Sequence, residues 1–286
     1  MKLGVLTGLW FVAEKLPLLK SLERINKLGC RYVDIHGTFH AGPSDLSPHE
    51  RLAVKEAMEK LNLQPRSYVL HAPRNIASAT DAELESCYDY LAEGIGMAQQ
   101  WGMHHLMLNA GQWAYGVTRS LAWERSVHFL QQVCDLAALQ DMYICQETEP
   151  HVWYLVNNTS TTLQMLADVD RPNFATLVDL GHMALAREGP EELVALRDWI
   201  IHVHLTDHEP FQHTNQVVGT GLTPIADYLE ALTAMGIDRC VKRFGYEELV
   251  ISLELGCPGD RIGNADEKVR SSLENLRRIA PYLSLT

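Results

Sequence analysis

The chain has 286 residues, a formal net charge of −12 and a hydrophobic content of 47%. An acidic chain without a run of basic residues is unsuited to an electrostatic grip on nucleic acid or on an anionic membrane surface. No apolar stretch is long enough to span a bilayer. The six cysteines are scattered and none forms a C-x-x-C pair, which predicts a reduced, cytoplasmic protein.

Predicted strands and helices alternate along the whole chain. Short apolar, β-branched runs predict strands at residues 3–7, 31–36, 66–71, 105–109, 143–147, 175–179, 200–204 and 249–254. Apolar residues at helical spacing and capping signals predict helices at residues 16–28, 47–61, 80–101, 120–139, 161–167, 190–197, 224–235 and 265–279. The segments that directly follow the strands are predicted to be loops.

This alternation indicates the fold. Single strand–helix units in unbroken series predict a parallel sheet, and eight of them match a (β/α)8 TIM barrel. We therefore expect one domain over residues 1–286. A doubly wound open sheet is the structural alternative, but no Gly-x-Gly-x-x-Gly turn follows the first strand, which disfavours its dinucleotide-binding version.

Four of the strands end in a side chain that can bind a metal: Glu147, Asp179, His204 and Glu254. In an α/β barrel the carboxyl ends of the strands converge on the face that carries the active site. Three carboxylates and an imidazole suit a hard or borderline divalent cation. Glu149 is an alternative to Glu147, because residues two apart on a strand face the same way. Pro150 suggests that the strand has ended, which favours Glu147.

Polar side chains near the strand ends are further candidates. His71 and Asn109 are either substrate contacts or loop residues with ordinary hydrogen bonds. His202 shares a face with His204 but lies one layer deeper, so we interpret it as a core histidine with satisfied hydrogen bonds. His213 is either a substrate contact or a surface histidine, and the surface position is favoured.

Aromatic and basic residues near the predicted barrel mouth complete the candidates. Five aromatic residues either stack on a sugar or pack in the core and loops: Trp10, Phe11, Trp113, Tyr115 and Trp153. Of these we take Trp113 as the substrate-binding candidate. Three arginines are predicted near the mouth: Arg74, Arg187 and Arg261. Nothing in the sequence indicates that these arginines converge, and an unphosphorylated substrate is favoured.

Several motifs resemble a known family. The most specific are Asp179-Leu180-Gly181-His182 and His202-Val203-His204, in that order along the chain. With Val33-Asp34-Ile35-His36-Gly37, Leu70-His71-Ala72-Pro73 and Leu253-Glu254, they make the whole chain similar to the xylose isomerase-like barrel superfamily, specifically its sugar isomerase/epimerase branch.

The resemblance implies a metal-dependent enzyme. It implies one divalent ion (manganese, magnesium, cobalt or zinc) held by Glu147, Asp179, His204 and Glu254. It also implies that Glu147 and Glu254 are the catalytic proton carriers and that His182 contacts substrate oxygens beside the metal. A hydrogen-bonded loop histidine is the plainer interpretation of His182. Members of the family are commonly dimers or tetramers.

Two departures from the family narrow the expected chemistry. The endonuclease IV-like branch has a histidine at the end of strand four, where this chain has Asn109; with the acidic charge, this argues against DNA repair. The ketohexose 3-epimerase branch has a glutamate where Trp153 stands here, and an arginine after strand seven that is missing between His204 and Gly221. These differences argue against a free ketohexose as substrate.

We therefore expect an isomerase or epimerase of a sugar, polyol or keto-acid that works by proton transfer through a metal-stabilised enediolate. A lyase that dehydrates a cyclic polyol or keto-acid on the same barrel is an alternative, because it begins with the same proton abstraction. A non-catalytic carbohydrate-binding barrel or subunit is an alternative of another class.

Overall fold

Eight parallel strands close into a barrel in the computed structural model, which describes residues 1–256 and 264–285. The strands are β1 (Lys2–Leu6), β2 (Tyr32–His36), β3 (Gln64–Val69), β4 (His105–Leu108), β5 (Tyr143–Glu147), β6 (Phe174–Asp179), β7 (Ile200–Leu205) and β8 (Val250–Leu253). Each pairs with the next along the chain, and β8 pairs with β1 through the register Val5↔Leu253. The predicted TIM barrel is therefore confirmed.

Helices surround this barrel. They are α1 (Gly8–Glu14), α2 (Leu18–Lys27), α3 (Gly37–His40), α4 (Pro48–Lys60), α5 (Asp81–Gln100), α6 (Arg119–Ala138), α7 (Thr159–Val169), α8 (Leu180–Leu185), α9 (Pro190–Ala195), α10 (Ile225–Ala234), α11 (Ile237–Cys240) and α12 (Ala265–Ile279), with a 3-10 turn at Val241–Phe244. None of the helices in the described ranges is both long and apolar enough to cross a membrane.

Capping residues explain where the predicted helices begin. The Ser47 hydroxyl accepts a hydrogen bond from the Glu50 backbone N–H, and the Glu50 carboxylate accepts one from the Ser47 backbone. Thr80 and Glu83 make the same reciprocal pair at the start of α5. Such capping boxes satisfy backbone donors that a helix start otherwise leaves unpaired.

Short helices occupy several segments that were expected to be loops. Helices α1, α3 and α8 directly follow β1, β2 and β6, and each has at most seven residues. Strand limits also shift by one or two residues, most clearly at β3, which was expected at residues 66–71. Helices this short are held by packing on the barrel rather than by their own sequence, so a periodic pattern is too brief to reveal them.

The barrel interior is partly polar. Asp34, His105 and His202 are all buried within it, and the ring of His202 lies next to both of the others. The Nδ1 atom of His105 lies 2.7 Å from the Tyr246 hydroxyl. These groups form a polar layer in the barrel interior, directly below the side chains at the strand ends.

One aromatic candidate belongs to the core. Trp10 is fully buried, and its indole N–H donates to the Asp266 carboxylate across 2.9 Å. It therefore packs beneath helix α12 and does not stack on a sugar. The five cysteines in the described ranges are unpaired, and Cys257 lies outside those ranges.

Candidate metal centre

The four predicted metal ligands converge at the carboxyl end of the barrel. Glu147 and Asp179 are the last residues of β5 and β6, Glu254 follows β8, and the β6–β7 register places His204 beside Asp179. One ligand atom from each of the four lies within 4.8 Å of the others. Strand ends that are far apart in sequence thus form one compact cluster of three carboxylates and an imidazole.

His204 is held from both sides of its ring. Its Nδ1 atom lies 2.9 Å from Glu254 Oε2 and 3.3 Å from Glu147 Oε1, while its Nε2 atom lies 3.4 Å from Asp34 Oδ2. The same Asp34 oxygen lies 2.7 Å from His202 Nε2. His202 is therefore a buried core histidine, as predicted, and the Asp34 carboxylate lies against the His204 ring on the side of the barrel interior.

Asp179 has one engaged and one unengaged oxygen. Its Oδ1 atom accepts the His182 backbone N–H (2.9 Å) and the Thr206 hydroxyl (2.5 Å). Its Oδ2 atom is buried and has no hydrogen-bond partner among the described residues. An unpartnered carboxylate oxygen is costly to bury. Asp179 thus caps helix α8 with one oxygen, and its other oxygen could bind a cation.

The charges of the cluster are strongly coupled. Burial would lower the pKa of His204, but Asp34, Glu147 and Glu254 outweigh it and raise that pKa well above the ordinary value. Burial would raise the pKa of Glu254, yet His204 holds it far below its usual range. In the metal-free chain an imidazolium thus balances part of the carboxylate charge. A divalent cation would supply the same balance, so the donor set fits the implied metal.

The cluster opens into a cavity of about 270 Å³. Its walls combine apolar and polar side chains from the strand ends and the segments that follow them: Leu6, Leu9, His36, Thr38, Phe39, His71, Glu149, His151, Tyr154, His213, Asn215, Glu254 and Leu255. Glu254 belongs both to this wall and to the ligand cluster. A small, mostly polar cavity beside a cation site suits a small polyhydroxylated molecule.

The two strand-five carboxylates have separate positions. Glu147 lies in the ligand cluster, whereas Glu149 lines the cavity. Burial raises the pKa of the Glu149 carboxyl to about 8. Strand β5 ends at Glu147, so Glu149 lies beyond the strand, where its side chain lines the cavity.

The predicted substrate-binding residues are not all in one place. His71 lines the cavity, and it also lines an adjoining cavity of about 220 Å³ that contains Asn109. Trp113 is half-exposed, donates its indole N–H to the Val117 carbonyl across 2.6 Å, and is not among the residues that line either cavity.

His182 and His213 form a contact that the sequence did not indicate. The Nδ1–H of His182 donates to the Thr148 carbonyl across 3.0 Å, and its Nε2 atom lies 2.7 Å from Nε2 of His213. Burial would lower the pKa of His182, but Asp179, Glu147 and Glu149 outweigh it and raise that pKa to about 9. The favoured surface position for His213 is therefore wrong, because it is a half-buried part of the cavity wall.

Other cavity residues were also missed. His36 is the last residue of β2, and its Nδ1 atom is buried without a described partner. The strand-end rule that identified the metal ligands also applies to His36. Asn215, whose Nδ2 donates to Glu254 Oε1 across 3.3 Å, lies within a long loop where no pattern predicts its place.

The predicted arginines are dispersed in the described ranges. Arg74 lines the adjoining cavity and lies 3.7 Å from Glu83, whereas Arg187 donates to the Pro210 carbonyl and packs over the Phe211 ring. Arg261 lies outside the described residues.

Comparison with known families decides the membership. Residues 22–279 match the family described as the xylose isomerase-like TIM barrel. The chain belongs to this family. The resemblance carried by the Asp-x-Gly-His and His-x-His motifs is thereby confirmed.

Relatives in this family include sugar epimerases. Fructoselysine 3-epimerase of Shigella flexneri is 22% identical over 243 residues, which cover 83% of this chain and 87% of the relative. D-psicose 3-epimerase from Clostridium cellulolyticum H10, solved with D-tagatose, has a TM-score of 0.80 at 18% identity and covers 98% of this chain and 99% of its own. The IolI protein with a bound zinc atom has a TM-score of 0.79 at 18% identity, with 99% and 100% covered. At these identities the structural likeness shows a shared barrel fold.

Proposed function

We propose that this xylose isomerase-like barrel is a divalent-metal-dependent isomerase or epimerase of an unphosphorylated sugar or related polyhydroxy ketone. The observation that carries the proposal is the cluster of Glu147, Asp179, His204 and Glu254, which opens directly into a cavity of sugar size. Sugar 3-epimerases among the relatives support the same reaction class.

The arrangement of residues supports proton transfer next to a carbonyl group. A bound manganese, magnesium, cobalt or zinc ion would act as a Lewis acid on substrate oxygens. Glu254 lines the cavity from β8, and Glu147 stands at the end of β5 on another side of the cluster. Carboxylates on different sides of a substrate can remove a proton from one face and return one to the other. We assign these two roles to Glu254 and Glu147.

His182 would bind and polarise a substrate oxygen. Its ring is fixed by the Thr148 carbonyl at Nδ1, so its Nε2 atom keeps a defined direction beside the ligand cluster. The Nε2 atom of His213 lies 2.7 Å away, which provides a second group for the same oxygen or proton. The pair thus supplies hydrogen bonding where the substrate's charge develops.

The cavity wall favours a neutral substrate. Among the described residues that line it there is no lysine or arginine, whereas Glu149 and Glu254 are both present. A phosphate group would meet the Glu254 carboxylate at close range with no lysine or arginine to pair with, which costs free energy. We therefore propose an unphosphorylated substrate.

Exchange with heavy water tests the reaction class. We would incubate the chain with Mn²⁺ in D₂O and a panel of ketoses, inososes and N-substituted aminoketoses, each neutral compound paired with its phosphate ester where one exists. The expected result is deuterium at the carbon next to the carbonyl of a neutral compound, with the carbon skeleton and oxygen count unchanged. Glu254→Gln should abolish the exchange.

Other outcomes identify the alternatives. Loss of one water from the product would establish the lyase, and exchange confined to the phosphate esters would contradict the proposed substrate class. Binding of a sugar without deuterium exchange, whichever metal ion is added, would favour the non-catalytic barrel.

Three finer features stay predictions. Elemental mass spectrometry of protein purified without chelator identifies the metal, for which we expect about one ion per chain, since the described residues contain one four-ligand cluster. Light scattering tests the expected dimer or tetramer, and fractionation tests the cytoplasmic location.

A further inference from the structure

The loop after β7 contains a buried chain of hydrogen bonds that ends at the Asp179 carboxylate. The Thr206 hydroxyl donates to Asp179 Oδ1 across 2.5 Å, and Thr206 Oγ1 lies 2.9 Å from His208 Nε2. On the other side of the ring, His208 Nδ1 accepts the backbone N–H groups of Thr214 (3.1 Å) and Asn215 (3.2 Å). Thr206 and His208 are both buried.

The direction of every bond in this chain is fixed from both ends. A carboxylate only accepts, so Thr206 must give its single hydroxyl proton to Asp179. Backbone N–H groups only donate, so Nδ1 of His208 must be the unprotonated nitrogen and Nε2 must carry the proton. His208 Nε2–H therefore donates to Thr206. The two deductions are independent and agree.

The same loop is pinned by a buried carboxylate. Asp207 accepts the backbone N–H groups of His208, Gly219, Gly221 and Thr223 at 2.7–3.0 Å. The Asp207 side chain thus holds the loop in a folded conformation and fixes the position of the His208 backbone, from which the ring extends. We call the hydrogen-bonded pair Thr206 and His208 the relay to Asp179. Asp207, which fixes the loop backbone, lies between these two residues in the sequence.

The loop also reaches a second metal-ligand candidate. Asn215, whose backbone N–H is held by His208, donates its side-chain Nδ2 to Glu254 Oε1 across 3.3 Å. Asn215 has a positive φ of 41°, a conformation that asparagine tolerates better than most residues. One loop therefore contacts Asp179 through His208 and Thr206, and Glu254 through Asn215.

His208 is not itself suited to hold a metal, although its ring lies near those of His182 and His213. A histidine ligand must offer an unprotonated nitrogen. Of the two nitrogens of His208, Nδ1 is occupied by two backbone donors and Nε2 carries the proton. The three histidines therefore do not make a second metal site, and the role of His208 is hydrogen bonding.

We propose that His208 is a positioning residue of the metal centre: through Thr206 it fixes Asp179 Oδ1 and so presents Oδ2 alone to the cation. Outer partners of metal ligands set their orientation in this way, and losing one typically weakens metal affinity by about 10–100-fold. This inference rests on the proposed metal-dependent function. It adds a residue outside the four-ligand cluster whose removal weakens metal binding.

Paired substitutions at Thr206 and His208 distinguish a role in hydrogen bonding to Asp179 from a role in packing alone. Thr206→Val removes the hydroxyl at nearly constant shape, whereas Thr206→Ser keeps it. His208→Gln can place its amide N–H near the Nε2 position, whereas the shorter side chain of His208→Asn can place its amide oxygen near the Nδ1 position and has no group that reaches the Nε2 position. The readouts are the dissociation constant for Mn²⁺ by calorimetry and the melting temperature of each metal-free variant.

The relay predicts a pattern across the four variants. Thr206→Val and His208→Asn should bind Mn²⁺ about 10–100-fold more weakly than the wild type, and Thr206→Ser and His208→Gln should bind it nearly as tightly. A stability loss without this pattern, with Mn²⁺ affinity unchanged in Thr206→Val, would overturn the inference while the proposed function stands. A wild-type chain that binds none of the four candidate metals would overturn both.

Discussion

The carboxylates of Glu147 and Glu149 have different positions in this site, because strand β5 ends between them. Glu147 is the last paired residue of the strand and stays in the ligand cluster. The backbone of Glu149 instead donates to the Val156 carbonyl, and its side chain enters the cavity wall. The matched pair Glu147→Gln and Glu149→Gln therefore distinguishes metal binding from substrate contact.

We expect Glu147→Gln to lose the metal and Glu149→Gln to keep it. The first change removes an anionic ligand, so metal affinity should fall by more than the roughly 10–100-fold that loss of an outer partner costs. The second should leave about one metal per chain but raise KM or lower kcat. Elemental mass spectrometry after gel filtration gives the metal content, and loss of metal from Glu149→Gln would reverse the assignment.

For single residues, the sequence pattern identifies polar side chains at the ends of strands, because each of them follows an apolar run. It misses Asp34 and His208. Asp34 lies within β2, where a single polar residue does not reveal whether it faces His204 or a helix. His208 acts through hydrogen bonds whose partners lie six and seven residues away in an irregular loop, so no periodicity marks it.

Helix α8 shows how closely one short element is fitted to the site. It begins at Leu180 directly after Asp179, and its second residue is Gly181. A Cβ atom at Gly181 would overlap the Thr206 hydroxyl and come within 2.6 Å of His208 Nε2. Glycine is therefore required by the close approach of the β7 loop, and the Asp-x-Gly-His motif gains a structural reason for its third residue.

Gly181→Ala should cost stability and weaken metal binding together. Overpacking of this kind typically costs about 1–3 kcal/mol, and displacement of Thr206 would release Asp179. The control is Gly96→Ala, within α5 and four residues before its end, where the nearest atom to an added Cβ is 3.9 Å away. That change should stabilise the chain by about 0.5–1 kcal/mol. Chemical unfolding and Mn²⁺ titration measure both, and unchanged metal affinity in Gly181→Ala would contradict the expectation.

Long elements were predictable and short ones were not. Helix α12 has the predicted limits of residues 265–279, because the Asn264 side chain caps it and its apolar residues recur at helical spacing. Helices α1, α3 and α8 are too brief for such a signal, and contacts with the barrel decide their conformation.

At the scale of the whole molecule, metal binding at the site should affect the stability of the folded barrel. The four ligand candidates lie at or next to the carboxyl ends of β5, β6, β7 and β8, so they bring half of the strands together at one point. In the metal-free chain three carboxylates share this point with a histidine whose raised pKa shows how strongly they attract positive charge. A cation that binds only the folded barrel must therefore stabilise it.

Saturating metal should raise the melting temperature measurably. A ligand at 100 times its dissociation constant contributes about 2.7 kcal/mol. For a domain of this length, unfolding entropy of about 0.6 kcal/mol per degree converts that into a shift of about 5 °C. Calorimetry with and without Mn²⁺, Mg²⁺, Co²⁺ or Zn²⁺ should show the shift for at least one ion, and EDTA should reverse it. Glu147→Gln should show little shift, because its cluster lacks one anionic ligand. Equal melting temperatures with and without every ion would mean that the carboxylates at the barrel mouth do not bind a cation, and the proposed chemistry would then fail with them.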